Sequence, residues 1–420
     1  MASKSHFQIL DPLYGDIEFG DAISDLIRQP LLQRLRHVRL SNIDSMQMPG
    51  ISGITRFEHS LGTAFLAANV AFSSGSNEED RILLQAAALI HDSAITPYGH
   101  LVEEALQYVA AEFDHQGKWS LLMAGGESDA ELGGMGLQLY LGRPSGLPDW
   151  ASRIYAGDAR SRLMTLLEAI QGLGKFGPCI AGNLDLDNID NVTRIAFHMG
   201  LRPDIALPQR LCTKMVGLAP DGTLLFDSSA VEDVRSWSAL RHLVYDRLMP
   251  SPLDFVGKIM LLFCTVRAFR ASLLDTTISW KLTDEEFIAI LRHSDDESIR
   301  ETAERWLLGD TWDLSELIWL EDAAPNLARV AEFSDHLSEV LGRQCFSYRI
   351  KDKRDRKIEL RLTSGESAIV GTNSSKWILG VASPLKKAFT AEENRKIAKA
   401  AQDIFETSRL PRQSAEGQLF

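Results

Sequence analysis

Apolar residues recur every three or four positions over most of the chain up to about residue 340, a spacing that predicts helices. "DAISDLIRQPLLQRLRHVRL" (21–40) carries that spacing and is interrupted by Pro30, whose ring cannot continue a helix. "EHSLGTAFLAANVAF" (58–72) and "EEDRILLQAAALIHD" (78–92) are small and apolar on nearly every face, so both are expected at the centre of the fold. "HLVEEALQYVAAEF" (100–113) is amphipathic, and "LDNIDNVTRIAFHMG" (186–200) reads as a helix closed by Gly200. Further helices are expected in "SPLDFVGKIMLLFCTVRAFRASLLD" (251–275) and in "TDEEFIAILRHS" (283–294), the latter opening on a Thr283/Glu286 capping box. The stretch 124–157 is rich in Gly, Pro, Ser and Asp and predicts a loop or inserted segment.

The period changes in the tail. "CFSYRIK" (345–351), "KIELRL" (357–362), "SAIVG" (367–371) and "KWILGVAS" (376–383) alternate as strands do, joined by turn-forming segments. A last helix starts at the capping box Thr390/Glu393. The expected fold is mainly α: a helical domain over 1–340 (motif core 7–200, helical extension 201–340), then a small α+β lobe over 341–420. Exposed strand edges tend to be covered or paired, so the lobe is expected to serve association rather than chemistry.

Composition narrows the function classes. The 420 residues are enough for two or three domains, with 45% hydrophobic and 24% charged residues, as in ordinary globular proteins. A net charge of −13 disfavours a general nucleic-acid surface, and with it a nuclease. The four cysteines show no CxxC spacing and read as free thiols of a reducing compartment. No signal-peptide core opens the chain, and "IMLLFC" (259–264) is too short to span a bilayer, so a cytoplasmic location without membrane contact is expected. "KDKRDRK" (351–357) reads as a solvated hairpin tip or, alternatively, as an anion or partner contact.

Candidate chemistry sits at helix ends. "LIHDSAITPYGH" (89–100) ends an apolar helix on His91 and Asp92, and burying such groups without partners costs on the order of several kcal/mol. His59 starts one apolar helix, and Asp187 starts a third. Two imidazoles and two carboxylates suit Fe, Mn, Ni or Zn, and less readily Mg alone. The competing readings are a helix N-cap for Asp187 and a hydrogen-bonded core residue for His59. No Walker A, GxGxxG or nucleophile-elbow motif occurs.

These pieces belong to a larger pattern. "ILDPLYGDIEF", "PLLQRLRHVR", "PG" (49–50), "RFEHSLG", "LIHD", "GH" (99–100) and "LDLDNID" stand in the order and spacing of the HD-domain phosphohydrolases. Over roughly residues 7–200 the chain most resembles their deoxynucleoside triphosphate triphosphohydrolase branch. The resemblance implies that His59, His91, Asp92 and Asp187 hold one divalent metal. It also implies that Arg56 contacts phosphate, and that His100 and His115 serve the leaving or attacked phosphate. Asp92 counts among the catalytic residues, and Gln33, Asn188 and Asn191 among those that contact substrate. The alternatives are a salt bridge to Glu58 or another acid for Arg56 and a surface position for His100. Homo-oligomers are implied as well.

The chain also departs from that family. Ile95 stands where the active branch has the histidine of HD-x-x-H, and isoleucine transfers no proton. Asn188, Asn191 and Ile195 replace a lysine, a tyrosine and an aspartate, and Leu40 replaces a glutamine. The expected function is therefore metal-dependent hydrolysis of a nucleotide or related phosphate ester or anhydride, without efficient general dNTPase activity. The rival is a catalytically weakened scaffold that binds a nucleotide or partner as a regulator.

Overall fold

The computed structural model describes residues 7–41, 48–70, 77–109, 118, 146–321 and 325–406. It opens with an antiparallel hairpin, β1 (Phe7–Asp11) and β2 (Gly15–Phe19), paired Phe7 to Phe19 and Asp11 to Gly15. The helical pattern of the neighbouring segments gives no sign of these strands. Their turn is closed by Asp11, whose Oδ1 accepts the amides of Leu13 (2.8 Å) and Tyr14 (2.9 Å).

Helices Asp21–Ile27 and Pro30–Arg34 follow, divided as expected because Pro30 starts the second rather than interrupting one long helix. The two apolar segments become helices Arg56–Ala68 and Glu78–Ile90, which pack against one another at the centre. Thr55 and Asn77 cap them by accepting the amides of Glu58 and Asp80. Helix Leu186–His198 packs on the first, and Gly200 follows in a left-handed conformation. Of the segment expected to be loop, Leu147–Ile154 is a helix instead. Pro148 occupies its first turn, and the indole of Trp150 is fully buried and donates to the Ala22 carbonyl at 2.8 Å.

Two further sheets bind the tail to the helical part. β3 (Met215–Leu218) and β4 (Leu224–Phe226) pair antiparallel, and β4 runs parallel to β8 (Ile358–Leu362), which pairs with β9 (Ser367–Val370). β10 (Trp377–Ser383) pairs with β7 (Phe346–Lys351) on one edge. On its other edge it pairs with β5 (Asp313–Leu314) and β6 (Ile318–Leu320). A second apolar core joins Ile318 and Leu320 with Phe333, Leu337, Ile397 and Phe405. The lobe's core thus draws on residues well before 341, because the short β6 and helix Leu327–Leu341 need the tail sheet to bury their apolar faces. The four cysteines are buried free thiols. Among the described residues, no helix is long and apolar enough to cross a membrane.

Candidate metal centre and its cavity

Helices Arg56–Ala68, Glu78–Ile90 and Leu186–His198 bring His59, His91 and Asp187 together, with one donor atom of each lying within 4.8 Å of the others. His59 Nε2 is 3.0 Å from Asp187 Oδ1, and His91 Nε2 is 3.8 Å from the same oxygen. Asp185, not Asp187, caps the third helix: its Oδ1 accepts the amide and the side-chain nitrogen of Asn188, each at 2.8 Å. The Asp187 carboxylate is thereby left to face the two imidazoles.

Each imidazole is oriented from behind. The His91 Nδ1–H donates to the Ala88 carbonyl at 2.8 Å, which turns Nε2 toward the cluster; that nitrogen is buried and has no hydrogen-bond partner. His59 Nδ1 lies 2.7 Å from Asp190 Oδ2. A carboxylate only accepts, so Nδ1 carries the proton and Nε2 is the atom presented to the cluster. Asp190 is itself held by Arg194 (Nε to Oδ2 2.9 Å, Nη2 to Oδ1 3.0 Å) and by the Tyr14 hydroxyl at 2.8 Å. Arg194 also donates to Asp11 (3.0 Å) and Glu58 (2.7 Å). A Cβ on Gly62 would stand 2.2 Å from Arg194 Nη2 and 2.3 Å from Asp190 Oδ1, so only glycine admits this network one turn after His59.

Burial works against charge throughout the cluster, yet partners override it. Asp187 and Asp190 lift His59 to about 9, and Asp92 and Asp187 raise His91. Hydrogen bonds from the two imidazoles hold Asp187 well below the usual carboxylate range, while Arg194 and His59 bring Asp190 down to about 2. Asp92 is drawn below the usual range by Arg56 and His91.

Asp92 stands at the edge of the triad. Its Oδ2 is 3.5 Å from His91 Nε2 and 3.9 Å from His59 Nε2, and it accepts from Arg56 Nη1 at 2.5 Å. Arg56 therefore pairs with an acid, as its competing reading held, but with Asp92 rather than Glu58, and it still lines the cavity in front of the cluster. Gly99 has φ +58°, and a Cβ there would lie 2.9 Å from Arg56 Nη2. The turn that carries His100 is pinned by Asp284, which accepts the amides of Tyr98 (2.8 Å) and Arg39 (2.9 Å). His100 reaches the cavity with its ring largely exposed and its Nδ1 2.8 Å from Glu103 Oε2.

The cavity is about 640 Å³, within the range of small-ligand sites. Asn188, Asn191 and Ile195 line it, as does Leu40. Gln33, expected among the substrate contacts, does not: its amide closes the end of the helix before it by donating to the Ile27 carbonyl at 2.7 Å. Ile95 does not line the cavity either; it is fully buried in the core, and its carbonyl accepts from Arg34 at 2.5 Å. His115 lies outside the described residues.

The lobe expected to stand apart from chemistry forms part of the cavity wall. Arg349 and Lys351 of β7, Lys353 just beyond it and Trp377 of β10 line the same space, with Arg241 and Lys258 from the helical part. Arg349 also meets Glu104 at 3.3 Å, which ties β7 to helix His100–Gln107. Lys351 and Lys353 of the basic run "KDKRDRK" thus border the cavity.

The family model of the HD domain matches residues 56–131. Human deoxynucleoside triphosphate triphosphohydrolase SAMHD1 is 33% identical over 102 residues, 23% of this chain and 16% of that protein. Residues 56–131 of the chain are an HD domain. An uncharacterised protein of Methanocaldococcus jannaschii is 21% identical over 289 residues, 68% of this chain and 55% of that protein. The match therefore spans about half the length of the archaeal relative and about one sixth of SAMHD1. The solved structure of a phosphohydrolase from Bacteroides thetaiotaomicron superposes with a TM-score of 0.63 at 17% identity, over 90% of this chain and 100% of that one, which supports the mainly helical HD fold. Asp190, Arg194 and Tyr14, which stand behind the candidate ligands, are not among the residues that the sequence singles out. A signal was available: Asp190 and Arg194 are one helical turn apart, and "DPLYG" recurs in the family pattern.

Proposed function

We propose that this HD protein is a metal-dependent phosphohydrolase acting on a nucleotide or related phosphate ester. The observation that carries the reading is His91 Nε2, a buried ring nitrogen without a partner, aimed at Asp187 and His59 on the wall of a cation-lined cavity. Two imidazoles that give up their Nε2 protons to an incoming cation, with a carboxylate, are a fitting donor set for a divalent Fe, Mn, Ni or Zn ion, with His59, His91 and Asp187 as the holders and Asp92 beside them. When bound, such an ion supplies Lewis acidity toward a phosphoryl oxygen and acidifies a water. The chain's own residues do the rest. Arg56 presents its guanidinium to the phosphate while balancing Asp92. His100, oriented by Glu103, stands where it can hand a proton to a departing oxygen. Asp190 keeps His59 in the tautomer that leaves Nε2 free to coordinate.

Asn188, Asn191, Ile195 and Leu40 line the cavity where the resemblance expects charged or polar nucleotide contacts. Each such contact is worth about 1.5–3 kcal/mol, so the four common dNTPs are expected to be poor substrates, by at least about a hundredfold for two lost contacts. The fully buried Ile95 favours a second reading, a regulatory scaffold that binds a nucleotide without turning it over. Metal analysis of the purified chain, then phosphate release from a nucleotide panel with each divalent ion, separates the two. Release that stops in His91→Ala supports the enzyme. Metal bound at one ion per chain with no release from any nucleotide supports the scaffold. The same preparation tests the homo-oligomer implied by the resemblance, by its mass in solution.

A further inference from the structure

The run "KDKRDRK" (351–357) also makes contacts away from the cavity. Between β7 and β8 its other charged residues meet groups of opposite character: Arg354 meets Asp352 at 3.0 Å and Asp246 at 2.9 Å, Asp355 meets His242 at 3.1 Å, and Lys357 meets Glu359. Arg356 is used differently. Its Nη2 donates at 2.9 Å to the carbonyl of Gly182, 174 positions earlier in the chain. The segment that carries it is fixed from behind. Asn373 Oδ1 accepts the Lys357 amide at 3.1 Å. Gly371, at φ +75°, lets the next turn approach so closely that a Cβ there would stand 2.4 Å from the Arg356 carbonyl oxygen.

Gly182 lies three residues before the cap of the helix that bears Asp187. Its amide donates to Asp185 Oδ2 at 3.0 Å, while Asp185 Oδ1 takes both nitrogens of Asn188. A Cβ on Gly182 would be 2.2 Å from the Pro178 carbonyl oxygen, so only glycine lets the chain double back on helix Gly177–Ile180. Ala181 and Asn183 on either side are exposed, so hydrogen bonds, more than apolar packing, hold this part of the turn. Asp187 is the second residue of the helix that the turn feeds. A series of hydrogen bonds thus runs from the tail to the ligand helix: Arg356 to Gly182, Gly182 to Asp185, and Asn188 to Asp185 in the first helical turn.

We propose that Arg356 is a positioning residue for the metal centre: its hydrogen bond to the Gly182 carbonyl fixes the turn whose Asp185 sets the direction of the Asp187 carboxylate toward His59 and His91. The inference rests on the phosphohydrolase reading for the presence of an ion, and not for turnover. Arg356 does not line the cavity, so its effect travels through Asp185. A hydrogen bond from a charged donor is stronger than a neutral one, which suits it to hold a turn that packing leaves exposed. A ligand carboxylate held in place beforehand loses less freedom when an ion arrives. The tail, which supplies Arg356, thereby takes a part in metal affinity.

The test titrates the full metal-free chain with Co²⁺, whose visible absorption reports the geometry of its ligands. Arg356→Met should weaken Co²⁺ binding by about tenfold, the lower end of the loss that follows removal of a group behind a ligand, and should alter the spectrum. Arg356→Lys keeps a charged donor on a shorter reach and should fall between. Lys357→Met removes the neighbouring charge and should match the unaltered chain. In metal-free protein the amides of Gly182 and Asn188 should exchange hydrogen faster in Arg356→Met, while the β10 amides keep their protection and show that the tail is still folded. If Arg356→Met does not fold, the same comparison is made with Arg356→Lys. Unchanged exchange at both amides overturns the proposal. So does faster exchange with Co²⁺ affinity and spectrum unchanged, which would make the bond purely structural. A chain that binds no divalent ion refutes the hydrolase reading and the ligand role of Asp187 with it, whereas the other two results refute this inference alone.

Discussion

The two walls of the cavity are built on opposite terms. On the metal-ligand wall every buried charge is answered: His59 by Asp190, Asp190 by Arg194 and Tyr14, Arg194 by Asp11 and Glu58, and Asp92 by Arg56. Of the three clustered groups His59, His91 and Asp187, His91 presents a buried ring nitrogen, Nε2, that lacks a hydrogen-bond partner. On the wall formed by helix Ala230–Leu248 and β7, Arg241 has two orphaned nitrogens, and Lys351 and Lys353 face open space. The first wall pairs its buried charges and leaves the His91 ring nitrogen open, an arrangement that would suit a small ion. The second is unfinished over a broad area.

The strongest way to break this contrast is to remove the position the first wall leaves open. His91→Ala should abolish metal retention, and with it hydrolysis by more than about a thousandfold, since the ion contributes several kcal/mol. The check is metal content and phosphate release on the same sample. Full metal occupancy in His91→Ala would place the ion elsewhere. Next in size is the layer behind. Asp190→Ala leaves Arg194 buried without its main counter-charge and should cost about 3–5 kcal/mol of stability, read by denaturant unfolding of the metal-free chain. Where the variant remains folded, metal affinity should fall by about 10–100-fold through the loss of His59 orientation. Unchanged unfolding in Asp190→Ala would mean that the finished wall is not held together by this network.

The same contrast explains what could be read from sequence. Helices Arg56–Ala68, Glu78–Ile90 and Leu186–His198 follow directly from apolar spacing, and the ligands stand at or near their ends, where a side chain can leave the core for a cavity. The capping boxes at Thr283 and Thr390 formed as written, because that signal is local. What escaped depends on distant pairing. Hairpin β1–β2 presents alternate residues to a helical core, but its strands are five residues each, too short to outweigh the helical pattern around them. The parallel contact of β4 with β8 joins segments more than a hundred residues apart. Arg241 lies in an ordinary amphipathic helix; only the fold shows that its buried Nε and Nη1 lack a hydrogen-bond partner. Gln33 is suggested as a substrate contact by the family pattern alone, whereas its amide makes a local helix-end hydrogen bond.

The smallest expected effect concerns the seam where the helical extension grips the finished wall. Unlike the network carboxylates of Asp92, Asp187 and Asp190, Asp284 is shifted upward, to about 6, because burial outweighs the backbone amides of Tyr98 and Arg39 that it accepts. In the unfolded chain it titrates near 3.8. Between those values the folded protein binds more protons than the unfolded one, so this group's contribution to stability is present below pH 4 and is lost as pH rises through 6. Asp284→Asn removes the titration but leaves one of the two amides without an acceptor, a penalty of about 1–3 kcal/mol. That penalty should be smaller at pH 7 than at pH 4 by about 2 kcal/mol, at about 1.4 kcal/mol per pH unit across the window. Denaturant unfolding of both proteins at the two pH values measures it. A penalty that grows with pH would show that Asp284 stays ionised like the other carboxylates, and that the seam belongs to the finished wall after all.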